Sequence, residues 1–316
     1  MKTCRTIPPA ILSVVFSLGL TSLASSFVAA QQLDNPVLIE SFPVGNYPQR
    51  LAFDGANVWV TNAGDDTVTK LRASDGANLG VFPVRSFPEC ITFDGTNIWV
   101  ANHLSGSLTK LRASDGVTLG TFGVGDFPEG LAWDGANVWV GQQNANTVTK
   151  VRGSDGAVLG TFRVGLAPIA VLFDGTDIWV ASSLDYTISK LRASDGAQLG
   201  RVRFNSLPWG LAFDGIKVWV SSPTENSITA FRASDGKIQG IFPVGLNPHG
   251  VTFDGANIWV ACVYDEGVVG GRARTGRFIN RFRVEDQAVD VISDGISLWV
   301  PIYGDNTVDK ITRTAP

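Results

Sequence analysis

The stretch PEGLAWDGANVWV, from Pro128 to Val140, decides the fold of this chain because it recurs along the whole sequence. Its second tryptophan belongs to a series with a constant spacing of 40 residues: Trp59, Trp99, Trp139, Trp179, Trp219, Trp259 and Trp299. The same copy continues with TVTKVRGSDG (147–156) and VLGTFRVG (158–165). A repeat of this length, with short runs of β-branched and aromatic residues between turn residues, predicts a propeller blade of four β-strands.

Two series of Asp-Gly pairs predict the turns inside each blade. One pair precedes every tryptophan, as at Asp134-Gly135, and a second follows most of the third strands, as at Asp155-Gly156. Asp-Gly favours tight hairpins because glycine adopts positive φ at low cost. In the third copy we therefore expect strand a at 131–133, strand b at 138–140, strand c at 147–152 and strand d at 158–164.

The two ends of the repeat array predict how the ring closes. The array begins with IESFPVG (39–45), which matches strand d, and it finishes with TVDKIT (307–312), which matches strand c. The first segment would therefore complete the last blade and remove an exposed sheet edge. The predicted fold is all-β: a seven-bladed β-propeller of four-stranded blades, closed by an N-terminal strand. Each tryptophan is expected to fill the space between blades.

The first 30 residues predict a secretory signal peptide. Lys2 and Arg5 precede an apolar stretch from 11 to 23, and small residues lead to a cleavage site after Ala30. The apolar stretch is short for a membrane span, so no transmembrane segment is expected in the mature chain. We expect residues 1–30 to be the signal peptide, residues 31–316 to be the propeller, and the protein to be secreted or periplasmic.

The charge of the chain argues against a nucleic-acid partner, and the positions of its cysteines argue against a disulfide. With 25 basic and 29 acidic residues the formal charge is −4, and the regular arginines of strand c, such as Arg72, would spread around the ring beside aspartates. No basic face is evident, so no nucleic-acid partner is expected. Cys90 and Cys262 fall in blades two and six, too far apart for a disulfide, and we expect free thiols.

Departures from the repeat locate the candidate site. The Asp-Gly hairpins hardly change, whereas the d–a and b–c loops at the opposite face vary most, and function on a repeated frame usually lies where side chains differ. The candidate ligand-binding residues at this channel mouth are Glu89, Asn102, His103, Glu129, Trp209, His249 and Asp290.

These side chains allow several kinds of chemistry. Carboxylates beside an imidazole can bind a hard cation such as calcium or magnesium, or perform acid–base work, or they can simply be hydrated around a channel. Trp209 suits stacking on a sugar or another flat ligand, or it plugs the channel. Acidic b–c loop residues occupy one position in five blades and predict a solvated rim, with a calcium site as the alternative: Asp65, Asp185, Glu225, Asp265 and Asp305. No catalytic residue and no cofactor is assigned from this pattern.

The phrases VWVTN, IWVAN and FPVGNYP at this period resemble the YVTN-type bacterial propeller repeats over residues 37–316. That resemblance implies an exported or surface protein and says little about activity. The chain is more distantly similar to the virginiamycin B (streptogramin) lyases, which implies a magnesium-dependent lyase with histidine–glutamate chemistry. Pro248-His249-Gly250 matches the lyase phrase, but Trp209, Asn247 and Val263 stand where the family has its second histidine and two glutamates.

A third hypothesis for the function is a gluconolactonase-like, calcium-dependent hydrolase. Glu89, Asn102 and Asp290 supply its residue types, without a family motif around them. We therefore expect an exported binding or interaction module whose ligand, a small molecule, a carbohydrate or a protein, sits at the channel mouth. A metal-dependent enzyme of the lyase-like or gluconolactonase-like type is the alternative.

Overall fold

A computed structural model describes residues 37–265, 267–284 and 287–313, without the side chain of Ile279. The predicted signal peptide, its cleavage site and the start of the propeller domain lie outside these residues. Seven four-stranded antiparallel sheets form the blades, which confirms the predicted seven-bladed β-propeller. No helix in the described part of the chain is long and apolar enough to cross a membrane.

The strands follow the repeat in strict order, and strand a of each blade lies innermost. The seven a strands are β2 (Pro48–Phe53), β6 (Pro88–Phe93), β10 (Pro128–Trp133), β14 (Pro168–Phe173), β18 (Leu211–Phe213), β22 (Pro248–Phe253) and β26 (Ile292–Ser293). The b strands are β3 (Asn57–Asn62), β7 (Asn97–Asn102), β11 (Asn137–Gln142), β15 (Asp177–Ser182), β19 (Lys217–Ser222), β23 (Asn257–Cys262) and β27 (Ser297–Ile302).

The outer half of each blade is equally regular. The c strands are β4 (Thr67–Arg72), β8 (Ser107–Arg112), β12 (Thr147–Arg152), β16 (Thr187–Arg192), β20 (Ser227–Arg232), β24 (Gly267–Arg272) and β28 (Thr307–Arg313). The d strands are β5 (Asn78–Pro83), β9 (Thr118–Gly123), β13 (Val158–Arg163), β17 (Gln198–Arg203), β21 (Ile238–Pro243), β25 (Arg277–Arg283) and, for the seventh blade, β1 (Val37–Pro43).

The ring closes as the sequence predicts. Strand β1 pairs with β28 in an antiparallel register that runs from Val37 opposite Arg313 to Pro43 opposite Thr307. The sheet order β1-β28-β27-β26 therefore joins both ends of the array in one blade. Neighbouring a strands contact each other around the whole ring, including β26 with β2.

The tryptophans fill the spaces between blades, as predicted. Trp59 is fully buried in a cluster that joins Val68 of its own blade to Ile98 of the next, and Trp299 closes the series against Leu71 of the first blade. Val68 and Leu71 thus pack on opposite faces of β4, with a bulge between Lys70 and Leu71. Burying seven indole rings contributes a large part of the apolar stabilisation.

Each tryptophan is also fixed by the Asp-Gly turn of its own blade, a contact that the sequence patterns did not reveal. Trp59 Nε1 donates to Asp54 Oδ2 at 2.8 Å, and the same bond recurs in all seven blades at 2.7–2.8 Å. Asp54 Oδ1 also accepts from the backbone N–H groups of Ala56 and Asn57. The turn glycine, Gly55, has φ +96°.

A lysine on strand c joins each of five blades to the next. Lys70 Nζ lies 4.9 Å from the ring centroid of Trp59 and donates to the carbonyl of Ala113, in the following blade, at 2.7 Å. The equivalent lysines, Lys110, Lys150, Lys190 and Lys310, repeat both contacts. We call this arrangement the lysine latch.

The latch is kept where strand c lacks a lysine. Position 230 of the fifth blade is alanine, and there Lys217, from strand b, lies 4.8 Å from the Trp219 ring centroid and donates to the carbonyl of Ala273. Position 270 is glycine, and Arg313 of the seventh blade covers Trp259 at 5.2 Å instead. A cation therefore lies over the ring of all seven repeat tryptophans. It is a lysine in six cases and an arginine over Trp259.

Candidate functional site

Backbone geometry in the loops points the variable residues into the channel mouth. In six of the seven d–a loops the residue at the Tyr47 position has φ between +53° and +60° although it is not glycine. Its carbonyl then accepts from the start of the following b–c loop, as when His103 N donates to Phe87 O at 2.9 Å. This bond holds His103 next to the start of β6, where Glu89 Oε2 lies 3.3 Å from the imidazole.

Two blades depart from the regular inner strand, and both carry candidate residues. Strand β18 begins only at Leu211, so Trp209 precedes it, and its N–H donates to Ser221 O at 3.0 Å. Strand β26 is reduced to Ile292–Ser293, so Asp290 precedes it in the same way. The backbone before each shortened strand still bonds to strand b, since Val289 N donates to Pro301 O at 3.3 Å in the seventh blade.

Arg50 lies at the centre of the mouth. Its Nη1 donates to Asp290 Oδ1 at 3.4 Å and to Val289 O at 3.5 Å. Burial lowers the pKa of the guanidinium, but the charge of Asp290, and then those of Cys90, Glu89 and Glu129, more than offset this and leave the pKa above its ordinary value. Carboxylates from three blades therefore act on one cation.

Asp290 is held on both sides. Its Oδ2 accepts from the backbone N–H of Leu51 at 3.2 Å, across the junction between the last blade and the first. Burial raises the pKa of Asp290, and the nearby Arg50 counteracts part of that rise. Gly250 makes room for the carboxylate, because a Cβ atom there would lie 2.3 Å from Asp290 Oδ1.

Glu89, His103 and Glu129 form an acidic corner beside Arg50. Glu89 Oε2 lies 3.3 Å from His103 Nδ1. Glu129 is 6 % exposed, and its Oε2 makes no hydrogen bond in the described structure. Burial, followed by the charge of Glu89, holds the pKa of Glu129 well above its ordinary value, with Arg50 opposing the shift. A carboxyl in this state carries a proton near neutral pH more often than an exposed glutamate does.

An aromatic corner lies in the blades across from it. The Trp209 indole stacks on His249 with ring centroids 4.5 Å apart and an interplanar angle of 25°. Trp209 Nε1 is buried without a partner among the described residues. Burial, and then the charge of Arg50, lower the pKa of His249 to about 3, so its imidazole is neutral at physiological pH.

Asn102 differs from the other predicted site residues because its amide is already fully used. Its Nδ2 donates to Thr109 Oγ1 at 2.9 Å and to Ser107, and its Oδ1 accepts from Arg85 N at 3.2 Å. Asn62 of the first blade makes the equivalent bonds. We therefore assign Asn102 to the scaffold. Among the other predicted residues, Glu89 contacts His103 and Trp209 stacks on His249. Asp290 pairs with Arg50, whose charge also acts on Glu129 and His249.

Sequence reasoning left Arg50 and Cys90 out of the candidate set. Both occupy the position two residues after the d–a proline, where three blades have glycine, and both line a channel cavity of about 100 Å³ with Asp290. An arginine in a series of small residues was a usable signal. Burial raises the pKa of the Cys90 thiol to about 11, which Arg50 partly opposes. Cys90 and Cys262 are both free, as predicted.

The acidic b–c loop residues mostly serve the loops themselves. Asp65 accepts from the N–H of Asn46 at 2.7 Å, and Asp265 does the same for Leu246. Five of the strand-c arginines pair with aspartates three residues later, as in Arg72–Asp75 at 2.9 Å. In the described part of the chain, no group of three or more His, Cys, Asp or Glu side chains is arranged to hold a metal ion.

Comparison with solved structures relates the chain to other propellers by fold. The virginiamycin B lyase of Staphylococcus aureus aligns with a TM-score of 0.76 and 15 % identity over 88 % of this chain and 99 % of that one. A streptogramin B lyase structure aligns with a TM-score of 0.76 and 16 % identity over 88 % and 98 % of the two chains. Kuenenia stuttgartiensis hydrazine synthase aligns with a TM-score of 0.76 and 18 % identity over 85 % and 96 %.

No protein-family model matches the chain, and no curated protein matches it. At these identities the structural likeness concerns the seven-bladed fold alone. It carries no substrate or reaction to this chain.

Proposed function

We propose that this chain is an exported binding module whose ligand occupies the channel mouth. The observation that carries the proposal is the set of buried polar atoms without partners. Among the described residues, two such side-chain atoms belong to mouth residues, Glu129 Oε2 and Trp209 Nε1, whereas His103 Nδ1 has Glu89 Oε2 at 3.3 Å. Native proteins rarely leave buried polar atoms unpaired, so the presence of two at the mouth supports a ligand that pairs with them.

The energetic contrast with the scaffold supports the same conclusion. Each repeated Asp-Trp pair is satisfied at 2.7–2.8 Å, whereas Glu129 is buried with one oxygen unpaired. Leaving a buried polar group unpaired costs about 1–3 kcal/mol, which gives the folded protein no benefit of its own. A bound ligand that supplies hydrogen bonds would recover this free energy.

A screen on the full chain tests the proposal. Thermal unfolding would be followed with amines, sugars, carboxylates, short peptides and divalent ions, in the native protein and in Glu129→Gln and Trp209→Phe variants. A ligand at about a hundredfold excess over its Kd raises the unfolding free energy by about 2.7 kcal/mol. We expect stabilising ligands whose effect both mouth variants reduce.

Glu40→Gln is the matched control, because Glu40 is exposed on the outer strand β1. This variant should keep the full ligand-induced shift. Ligands that stabilise all three variants as strongly as the native chain would place binding elsewhere and contradict the proposal.

A metal-dependent enzyme, lyase-like or gluconolactonase-like, is the second candidate. The 3.3 Å contact between Glu89 and His103 favours it, since a carboxylate beside an imidazole is a common acid–base arrangement. Calcium or magnesium should then stabilise the native chain, and a chelator should reverse the effect. If neither ion changes the unfolding temperature, this candidate fails.

Export is tested separately. Expression of the full chain in a bacterial host, followed by fractionation and N-terminal sequencing, should yield a mature protein that begins at Gln31. Retention of residues 1–30 in the folded protein would contradict the export proposal.

A further inference from the structure

We propose that the ligand of the channel mouth carries a positively charged amino group, which binds between Glu89 and Glu129, on an uncharged body that lies along Ile169 and Trp209. The inference rests on the proposed function, because it names the chemical class of that ligand. It follows from how polar and apolar side chains divide the mouth.

The residue after the d–a proline position has a different character on each side of the ring. Going around the blades, its identities are Gln49, Glu89, Glu129, Ile169, Trp209, His249 and Val289. The first three form a polar arc. The last four form an arc of apolar or uncharged side chains, because His249 is neutral at physiological pH with a pKa of about 3. A ligand that fits both arcs must be polar at one end only.

The charges of the mouth leave a negative excess. Asp290 has two partners, Arg50 at 3.4 Å and the N–H of Leu51 at 3.2 Å. Arg50 is thus committed to Asp290 through its Nη1 atom, and Glu89 and Glu129 share only its longer-range field. No other lysine or arginine forms an ion pair with these two glutamates in the described structure. Glu89 has the imidazole of His103 beside it at 3.3 Å, and Glu129 has no ion-pair partner in the described structure. A cationic group is therefore the complement that this acidic corner lacks.

Glu129 adds an independent pointer to a donor group on the ligand. Its side chain is 6 % exposed and Oε2 has no hydrogen-bond donor, so an ammonium N–H would satisfy an atom that nothing in the described chain satisfies. An anionic ligand would face Glu89 and Asp290 as well. A neutral sugar could stack near Trp209, but it would leave the charge excess in place.

Cation binding at this corner requires Glu129 to be ionised, which predicts proton release. Burial and Glu89 favour its protonated form, and Arg50 opposes them. The other titratable groups around the mouth are Cys90, His103, His249 and Asp290. A cation that displaces the proton of Glu129 should therefore bind more tightly as the pH rises, and each binding event should release part of a proton.

Calorimetry with matched probes tests the inference. The full chain would be titrated with 2-phenylethylamine, with its neutral isostere 2-phenylethanol and with methyl glucoside, in two buffers of different ionisation enthalpy. We expect the amine to bind about tenfold more tightly than the alcohol, and to release protons at pH values where Glu129 is still protonated. Glu129→Gln should abolish the proton release and weaken amine binding about tenfold, while Glu40→Gln should change neither.

The outcomes separate this inference from the proposed function. Equal binding of amine and alcohol, no amine binding at millimolar concentration, or amine binding that Glu129→Gln leaves intact would each overturn the inference. If methyl glucoside binds instead, and Trp209→Phe weakens it, the mouth is still the ligand site but the ligand is a saccharide. Failure of every compound in the wider screen to depend on the mouth would overturn the proposed function as well. A melting curve for each variant confirms that it is folded.

Discussion

The tryptophans of the hairpin face and of the channel mouth differ in burial and in hydrogen bonding. At the hairpin face, Trp99 is fully buried, donates to Asp94 at 2.8 Å and lies under Lys110. At the mouth, Trp209 is only half-buried, stacks on His249 and leaves Nε1 without a partner in the described structure. The same residue type is therefore saturated where it repeats and unsatisfied where it departs from the repeat.

The lysine latch sharpens this contrast. Where strand c has Ala230 or Gly270 in place of lysine, Lys217 or Arg313 supplies the cation from another strand. The scaffold thus restores a lost contact from a different position. At the mouth, by contrast, the unpaired atoms of Glu129 and Trp209 have no substitute among the described residues.

Replacing the two tryptophans gives the largest expected difference between the regions. Trp99→Ala should lower the free energy of unfolding by about 3–5 kcal/mol, because it empties a core position between two blades. Trp209→Ala should lower it by only about 1–2 kcal/mol, since it removes a half-buried ring and one stacking contact. Urea denaturation of both variants measures the difference. Equal losses would show that the mouth tryptophan is also a scaffold residue.

The buried imidazole of His249 predicts a pH effect on stability. Its pKa is about 3 in the folded chain and near 6.5 when unfolded. The unfolded chain therefore gains a proton first as the pH falls below 6.5, and stability is lost toward pH 3. At pH 5 this amounts to at most about 2 kcal/mol. His249→Gln should remove this part of the loss between pH 7 and pH 5 in urea titrations, and an unchanged pH slope would contradict it.

Glu129 predicts a stabilising substitution. In the folded chain its pKa lies well above the ordinary value. Below about pH 4.5 the carboxyl is protonated in both the folded and the unfolded chain and costs no stability. As the pH rises toward the folded pKa, the unfolded chain loses the proton first, and the free energy of unfolding falls. Glu129→Gln should therefore stabilise the protein by about 1–2 kcal/mol at pH 8 and by little at pH 4.5. Thermal or urea unfolding at both pH values checks this result, with Glu40→Gln as the control. A destabilised Glu129→Gln variant would indicate that the carboxylate supports the fold.

The compensated latch of the fifth blade predicts the smallest effect. Lys217→Asn should cost about 1 kcal/mol, because it removes the cation over Trp219 and its bond to the Ala273 carbonyl. Adding Ala230→Lys in the same chain should recover most of this loss, since the equivalent lysine serves the other blades. A double-mutant cycle in urea measures the recovery. Additive losses would mean that the two positions do not share one role.

The regular part of the fold could be predicted from the sequence because every blade repeats the same physical solution. A spacing of 40 residues, Asp-Gly turns and the strand-d match at 39–45 were enough for blade number and closure. The lysine latch was missed because it joins Lys70 to a carbonyl 43 residues later, in a different blade. Such a contact is apparent only when the neighbouring blades are placed.

The candidate site was predictable only in part. A residue that differs from the repeat can do so for a structural or a functional reason, and the sequence alone does not distinguish the two. The position of Asn102 holds different residue types in different blades. Its side-chain hydrogen bonds are nevertheless the same as those of Asn62, and they stabilise the scaffold. Arg50 was passed over because its partners lie in three other blades, which linear order does not bring together. The shortened strands that follow Trp209 and Asp290 also gave no turn signal in the sequence.

Closure by β1 also determines how this ring would respond to force. The covalent gap lies inside the seventh blade, between β28 and β1, and Val37 faces Arg313 at the same end of that strand pair. Tension applied through these two residues would load the backbone hydrogen bonds one after another, in unzipping geometry, and not all at once in shear. The seam should therefore open at low force, while the remaining blades, each continuous through its own turns, keep their sheets until the a strands separate.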